Sequence, residues 1–308
     1  MNMQNLDTPV LLIIFNYPEI TQKVFNAIKE VKPKSLFVFS DAPRKNKKGE
    51  AEKCSKTRKI LEQIDWACDV KTYFLEENIG ARKAVSTAIS WFFDNVEEGI
   101  VLEHDCLPNK SFFYFCQEML NRYRNDTRIM HISGSNFLQG KKIGKYSYYF
   151  SKVPLIWGFA TWKRAWKFYD VDIKTFPEFK ETNQIENIFN GKFVNKHIIK
   201  LLNKVYKNIA QTWDHQWRYA VITQNGLCIN PNVNLVSNIG FGPDALHCAN
   251  SKSKKANIPT QELYELTHPI FMIPSKKANE FLFKNHYYFG FWAKFRREFA
   301  RIFKLYNG

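Results

Sequence analysis

The fold is decided by an apolar run near the start of the chain, which reads VLLIIF at residues 10–15. A run that is apolar at every position is typical of a strand buried on both faces of a parallel sheet. Pro18 then opens a stretch that ends near Val31, and its apolar residues share one face of a helix. The first thirty residues therefore predict a strand followed by a helix that packs back onto it.

The same alternation continues to residue 103. Further strands are predicted at residues 36–39, 70–75 and 99–103, and helices near residues 60–64 and at 82–96. Regular alternation of this kind predicts a parallel sheet built from right-handed βαβ units. After Pro108 the pattern weakens, and we expect a helix at 112–123, strands at 129–133 and 227–229, helical structure over 181–220 and a loop at 232–247.

We therefore predict an α/β protein with one large domain over residues 8–250. The remaining residues, 251–308, form a predicted basic and aromatic C-terminal tail. No apolar run approaches the roughly 18–20 residues of a membrane-spanning helix. No export signal is apparent in the polar residues 1–8, which favours a cytoplasmic protein.

The composition excludes several classes of protein. The chain has 308 residues, of which 45% are hydrophobic, so it is not disordered. Its six cysteines are scattered without a C-x-x-C pair, which argues against a structural zinc site. Its 45 Lys and Arg against 29 Asp and Glu give a net charge of +16, which indicates an anionic partner, although AT-rich coding accounts for part of the excess.

Polar residues follow each of the first four predicted strands, where ligands bind in open parallel sheets. Neither G-x-G-x-x-G nor G-x-x-x-x-G-K-[ST] occurs there, which disfavours a dinucleotide oxidoreductase and excludes a P-loop. A nucleotide diphosphate would then need a divalent metal supported by Arg or Lys. Glu103 and Asp105 leave the fourth strand two residues apart and can face one ligand, although acidic residues also commonly end strands.

Residues 101–108, VLEHDCLP, resemble the metal-binding E-D-D or D-x-D stretch of glycosyltransferases with the GT-A fold. Five more stretches in the same order resemble bacterial surface-polysaccharide glycosyltransferases of the haemolytic-protein-like family, and more distantly N-acetylglucosaminyltransferase I. These stretches are residues 15–18, 40–44, 156–162, 213–217 and 236–242. The resemblance implies a GT-A fold, which is Rossmann-like with a mostly parallel sheet flanked by helices. It also implies inverting transfer of a sugar from a nucleotide-diphosphate donor, with residues 8–108 as the nucleotide-binding half of the domain and residues 109–250 as the acceptor half.

The resemblance assigns expected roles around the donor. Asp105 would bind Mn²⁺ or Mg²⁺ on the diphosphate, Glu103 would lie near the ribose and Asp41 near the base. Tyr17 and His104 depart from the family, which usually has Arg and an acidic residue at these positions. The other expected donor-binding residues include Arg44 and Arg82, which could compensate for the missing Arg. Tyr17 and His104 are still expected to bind the donor, and the other residues of the set are Phe15, Asn16, Arg44, Gly80, Arg82, Lys83, Trp157 and Gly158.

Two further roles concern catalysis and the metal. The resemblance makes Asp214 the general base that takes the proton of the acceptor hydroxyl, and the alternative is a helix-starting Asp that binds backbone amides. His247 follows a loop that contains Gly240 and Gly242 and is expected to complete the metal site. Asp244 is an alternative metal ligand, and His247 would then be an ordinary surface residue. Trp157 and Gly158 are expected to border a sugar, whereas the aromatic residues around them are core.

Residues 281–308 place aromatic and aliphatic residues at helical spacing among Lys and Arg, which predicts an amphipathic helix on the inner face of a membrane. The alternatives are a helix that closes the core and a dimer contact. The predicted acceptor is a surface glycan, with a polyprenyl-linked glycan as one candidate. The competing functions are a basic nucleic-acid-binding protein, which lacks any recognised motif, and a sugar nucleotidyltransferase. The donor sugar, the linkage and the oligomeric state stay open.

Overall fold

The first half of the chain builds a parallel sheet from alternating strands and helices. A computed structural model describes residues 6–189, 191–241 and 256–287, and within them eight strands form one sheet in the order β3-β2-β1-β4-β8-β6-β9-β7. These strands are β1 (Val10–Ile14), β2 (Ser35–Ser40), β3 (Asp69–Phe74), β4 (Glu98–Glu103), β6 (Ile129–Ser133), β7 (Tyr148–Ser151), β8 (Phe159–Trp162) and β9 (Leu227–Pro231). A second, two-stranded sheet pairs β5 (Cys106–Pro108) with β10 (Val236–Asn238).

Helices cover both faces of the large sheet. In the described residues they are α1 (Pro18–Val31), α2 (Glu50–Lys59), α3 (Ala81–Asn95), α4 (Lys110–Tyr123), α5 (Lys163–Trp166), α6 (Phe176–Glu181), α7 (Lys192–Tyr206), α8 (Asp214–Thr223) and α9 (Lys276–Leu282). Strand β1 pairs in parallel with β2 and β4, and β2 pairs in parallel with β3. The predicted α/β class, a mostly parallel sheet flanked by helices, is confirmed.

Strand β1 lies at the centre of the core. Its alternate residues Val10, Leu12 and Ile14 pack with α1 and α4, whereas Leu11 and Ile13 pack with α3, α5 and α8. The two sets point to opposite faces because successive side chains of a strand alternate. Burial on both faces is the reason that the run at residues 10–15 carries no polar residue.

Beyond β4 the chain differs from the prediction in four short strands. Strands β5, β7, β8 and β10 have three or four residues each, and β10 lies inside the segment that we predicted as a loop. Strand β8 forms because Phe159 and Ala160 find hydrogen-bonding partners on β4 and β6, which are distant in sequence. The predicted helical stretch over 181–220 is also wrong in part, since it separates into α7 and the start of α8 with a turn between them.

Residues 257–263 bind β10 and the start of α4, and residues 265–279 run along the edge strand β7. The Ser275 amide donates to the Phe150 carbonyl at 2.8 Å, and Ser151 Oγ donates to Asn279 Oδ1 at 2.8 Å. The predicted domain division at residue 250 stays a prediction, and residues 288–308 of the predicted tail lie outside the described residues. In the described chain no helix is long and apolar enough to cross a membrane.

Candidate functional site

A cleft of about 930 Å³ opens at the carboxyl ends of β1, β2 and β4, beside the start of α3. It lies where the strand order reverses, because β1 has β2 on one side and β4 on the other. In open α/β sheets this is the position at which ligands bind. The structure brings ten of the predicted site residues to the wall of this cleft: Phe15, Tyr17, Asp41, Arg44, Gly80, Arg82, Lys83, Glu103, His104 and Asp105.

Two carboxylates at the end of β4 form the floor of the cleft. Asp105 Oδ2 accepts a hydrogen bond from Asn238 Nδ2 at 3.1 Å, so β10 helps to orient this carboxylate. Glu103 is half-buried, and burial, together with the charges of Asp105 and Asp214, raises its pKa to about 8 against a hydrogen bond from the Trp213 side chain. Asp105 and Asp214 therefore both lie close enough to Glu103 for their charges to act on it.

These carboxylates suit a hard divalent cation such as Mg²⁺ or Mn²⁺ because their donors are oxygens. No group of three His, Cys, Asp or Glu in the described parts of the chain could hold a metal by itself. Asp105 would therefore supply one or two oxygens and a bound diphosphate and water the rest, which is how Mg²⁺ is commonly held. The predicted ligand His247 lies outside the described residues, so its role stays a prediction.

Asp41 organises the loop that leads into α3. Its two carboxylate oxygens accept hydrogen bonds from the amides of Ala42, Ile79 and Gly80 and from Asn78 Nδ2, at 2.8–3.1 Å. Burial raises the pKa of Asp41, and these amides oppose the shift. All four partners belong to the protein, so Asp41 shapes the cleft wall from behind, and its predicted contact with a base stays a prediction.

Asn16 and Arg44 meet at a residue that the sequence analysis missed. Glu50 is 5% exposed, accepts from Asn16 Nδ2 at 2.8 Å, and binds the guanidinium and the amide of Arg44. The hydrogen bond from Arg44 is the main reason that the pKa of Glu50 is lowered. The Arg44 guanidinium also lies 5.8 Å from the ring centre of Phe15. Glu50 stands in a stretch of exposed polar residues, and nothing in that pattern distinguishes it.

Arg82 joins two loops at the side of the cleft. It donates to the Val171 carbonyl at 2.6 Å and to Asp172 at 3.2 Å, and it also binds Asn208. The sequence did not predict that loops 170–172 and 207–211 reach this cleft. Lys83, one residue later, is exposed and forms no ion pair with any residue that the structure describes, so its charge is available to a ligand.

Tyr17 and His104, the two departures from the family pattern, contact each other. Their rings stack at a centroid distance of 4.9 Å and an interplanar angle of 5°. Burial lowers the pKa of His104, and the charge of Asp105 opposes the shift. A neutral, flat pair of rings therefore lines the cleft beside the two carboxylates.

Asp214 is the first residue of α8, the position expected of the alternative, a helix-starting Asp, but no side chain caps this helix. Its charge reaches Glu103 from the other half of the domain. Burial alone would raise its pKa, but His215, Arg218 and a hydrogen bond from Thr212 outweigh this effect and lower the pKa. Asp214 therefore remains ionised near neutral pH. One turn later, Trp217 is fully buried and its Nε1 donates to His131 Nδ1 at 3.0 Å, which fixes the start of α8.

Trp157 and Gly158 do not line the cleft. The Trp157 ring packs edge-on against Phe137 and Phe241 at 5.0 and 5.8 Å. Gly158 has φ +64°, and a Cβ there would lie 2.8 Å from Val236. Glycine is needed at this position for the backbone and for packing, and the predicted contact of both residues with a sugar stays a prediction.

The fold and the site together define a mostly parallel α/β domain with a carboxylate-lined cleft at the ends of its strands. No protein-family model and no curated protein matches the chain. Among solved structures, HddC from Yersinia pseudotuberculosis matches at 9% identity over 53% of this chain and 80% of its own, with a TM-score of 0.33. An apo UDP-glucose pyrophosphorylase matches at 10% identity over 73% of this chain and 90% of its own, with a TM-score of 0.36. The 4-diphosphocytidyl-2C-methyl-D-erythritol synthase from Anaerococcus prevotii matches at 8% identity over 65% of this chain and 85% of its own, with a TM-score of 0.34. Similarity at this level carries no argument about what this chain binds.

Proposed function

We propose that the chain is a metal-dependent, inverting glycosyltransferase that moves a sugar from a nucleotide-diphosphate donor to a glycan hydroxyl. The observation that carries the proposal is that the start of α8, in the second half of the domain, lies next to Glu103 at the end of β4. The Trp213 side chain hydrogen-bonds to Glu103, and the charge of Asp214 raises the pKa of Glu103. Asp105 lines the cleft and can bind a divalent cation, and the ionised Asp214, whose side chain is 19% exposed, lies beside the same strand end but is not one of the residues that line the cleft.

Each residue has a distinct task in this reaction. Asp105 would hold the divalent cation, which when bound neutralises charge on the leaving diphosphate. Lys83 and the start of α3 would bind the phosphates. Asp214 would accept the proton of the acceptor hydroxyl as its oxygen forms the new bond to the anomeric carbon. The bond to the diphosphate breaks on the opposite face of the sugar, and the nucleoside diphosphate leaves.

The main alternative, a sugar nucleotidyltransferase, explains Asp214 less well. In that reaction the nucleophile is a sugar phosphate, which is already ionised at neutral pH and needs no general base. The cleft must also then neutralise a nucleoside triphosphate and a second phosphate. The arginines that line it are already engaged, Arg44 with Glu50 and Arg82 with Asp172, which leaves Lys83 as the unpaired cation of the described cleft wall.

The test separates donor binding from transfer. Purified chain is screened with nucleotide-diphosphate sugars and glycan acceptors in the presence of Mn²⁺, and nucleoside diphosphate release is measured. Asp214→Asn should bind donor as wild type does and lose at least 100-fold in transfer, whereas Asp105→Asn should lose metal-dependent donor binding. The exposed Asp94→Asn on α3 is the matched control and should behave as wild type. Wild-type transfer by Asp214→Asn, or release of pyrophosphate from a nucleoside triphosphate and a sugar phosphate, would contradict the proposal.

A further inference from the structure

A well-defined apolar loop lies at the opposite edge of the sheet from β3. Residues 267–275 run along the edge strand β7 and are fixed at both ends. The Ser147 amide donates to the Thr267 carbonyl at 3.1 Å, and the Ser275 amide donates to the Phe150 carbonyl at 2.8 Å. Between these anchors, residues 269–274 form the segment that we call the apolar loop.

The apolar loop exposes three large side chains to solvent. Ile270, Phe271 and Ile273 are 76%, 73% and 71% exposed, whereas Met272 turns inward onto the core. The loop begins and ends with proline (Pro269 and Pro274), and proline restricts the backbone. The chain therefore presents three apolar side chains on a preformed support, and contiguous exposure of this kind marks an interaction site.

The charges around the apolar loop are mixed, but the two residues nearest to its end in the sequence after Ser275 are lysines. Lys276 and Lys277 follow it directly and are exposed, and Arg122 and Arg128 are exposed on the neighbouring surface. Arg128 Nη2 lies 3.1 Å from Met272 Sδ. Glu118, Glu265 and Glu280 are also exposed nearby, and Asp126 pairs with Arg128. From residue 267 to the end, the sequence has eight Lys and Arg against two acidic residues.

We propose that the apolar loop docks the protein on a lipid bilayer that contains anionic headgroups. Ile270, Phe271 and Ile273 would enter the interfacial region, with Lys276 and Lys277 on the headgroups. An anionic bilayer fits these observations because Lys276 and Lys277 directly follow the exposed apolar side chains, and because the 21 residues that follow position 287 are again rich in aromatic and basic residues.

The position of the apolar loop leaves the cleft open when the protein is docked. The loop lies on β7 at one edge of the sheet, whereas the cleft opens at β1, β2 and β4 toward the other edge. A water-soluble ligand could therefore enter the cleft while the loop is in the membrane. The inference is independent of the proposed reaction, and variants of the loop should not alter turnover of soluble substrates.

The test uses the full chain with vesicles of phosphatidylcholine alone and of phosphatidylcholine with phosphatidylglycerol. Wild type should co-sediment with the anionic vesicles, and Ile270→Ser/Phe271→Ser/Ile273→Ser should lower the partition coefficient at least tenfold. Lys276→Glu/Lys277→Glu should remove most of the preference for anionic lipid. Phe193→Ser, at an aromatic residue that is 59% exposed on α7, is the matched control and should bind as wild type does.

Hydrogen exchange locates the contact. Anionic vesicles should slow exchange of the backbone amides within residues 267–275 in wild type. The proposal is overturned if wild type does not bind vesicles, or if the triple variant binds as tightly as wild type. It is also overturned if light scattering shows that wild type is a dimer and that the triple variant alone is a monomer, because the loop then contacts a second copy of the chain.

Discussion

At the scale of single residues, Asp41 shows how a polar strand end can serve structure and ligand binding together. The residue follows β2 directly, as a ligand-binding carboxylate would, yet its oxygens accept four hydrogen bonds from the loop before α3 and from its own neighbour. That loop places Gly80 and the amides at the start of α3 beside the carboxylates of β4. Asp41 is therefore a positioning residue for the cleft.

Replacing Asp41 by Asn tests this role. The Asn amide group would face N–H donors where the carboxylate accepts, and we expect a loss of about 2 kcal/mol in the free energy of unfolding. Donor KM should rise more than kcat falls, because the loop shapes binding and does not touch the reacting atoms. Urea unfolding and steady-state kinetics measure both effects. Asp94→Asn should change neither, and an Asp41→Asn protein with wild-type stability would contradict the argument.

A single residue, His131, makes the stability of the fold depend on pH. It is fully buried, its Nδ1 accepts from Trp217, and its Nε2 lies 3.1 Å from the Leu155 carbonyl oxygen. Burial lowers its pKa from 6.5 to about 3. Between these values the unfolded chain binds the proton and the folded chain does not, so the stability conferred by neutral His131 is present above pH 6.5 and falls as the pH drops toward 3.

The measurement is a comparison of wild type with His131→Gln from pH 7 to pH 4. The free energy of unfolding of wild type should fall more steeply with decreasing pH, by up to about 1.4 kcal/mol per pH unit. Taking the difference between the two proteins removes the contribution of the carboxylates and the other histidines. If the free energy of unfolding falls equally steeply with pH in both proteins, His131 has the same pKa in the folded and the unfolded chain, and the argument from burial is wrong.

At the scale of elements, the turn after β10 determines how closely the backbone approaches Asp105. A Cβ on Gly240 would lie 2.5 Å from Asp105 Oδ2, and the backbone of Gly240 is not in the left-handed region. Glycine is therefore required here for close approach and not for an unusual φ. The small antiparallel sheet of β5 and β10 places the two residues together.

Gly240→Ala should therefore displace the Asp105 carboxylate without unfolding the protein. We expect the Mn²⁺ concentration at half-maximal activity to rise at least tenfold, and the free energy of unfolding to change by less than about 1 kcal/mol. Gly191→Ala, whose new Cβ would meet Val194 at 3.5 Å, is the control. If Gly240→Ala reaches half-maximal activity at the same Mn²⁺ concentration as wild type, Asp105 does not bind the metal.

The elements also show which parts of the fold the sequence can predict. Strand β1 is a fully apolar run, and β4 is apolar from Ile100 to Leu102. Polar residues at the end of such a run, such as Glu103 and Asp105, could be predicted as site residues for that reason. Strands β7 and β8 could not be predicted, because four aromatic-rich residues become a strand only when β9 or β4 lies beside them. Glu50 and the loops bound by Arg82 were missed for the same reason, since tertiary contacts alone bring them to the cleft.

At the scale of the whole molecule, the net charge of +16 has two expected anionic partners, a sugar nucleotide in the cleft and a lipid surface at the other edge of the sheet. The charge of the cleft itself is mixed, because acidic side chains lie beside Arg44, Arg82 and Lys83. An anionic ligand should therefore bind well only when a divalent cation offsets these carboxylates. This requirement distinguishes a metal-dependent nucleotide-sugar site from a general polyanion-binding surface.

Thermal unfolding of the whole chain measures this requirement. A nucleotide-diphosphate sugar at about 100 times its Kd with Mn²⁺ should stabilise the fold by about 2.7 kcal/mol, which corresponds to a rise of roughly 5 °C in Tm. EDTA should abolish the rise, and Asp105→Asn should show little of it at the same concentrations. A nucleic-acid-binding protein would instead be stabilised by an oligonucleotide without metal, and the effect would disappear as salt increases from 50 to 200 mM. Stabilisation by donor that is equal with Mn²⁺ and with EDTA would show that the carboxylates of β4 do not act through a metal.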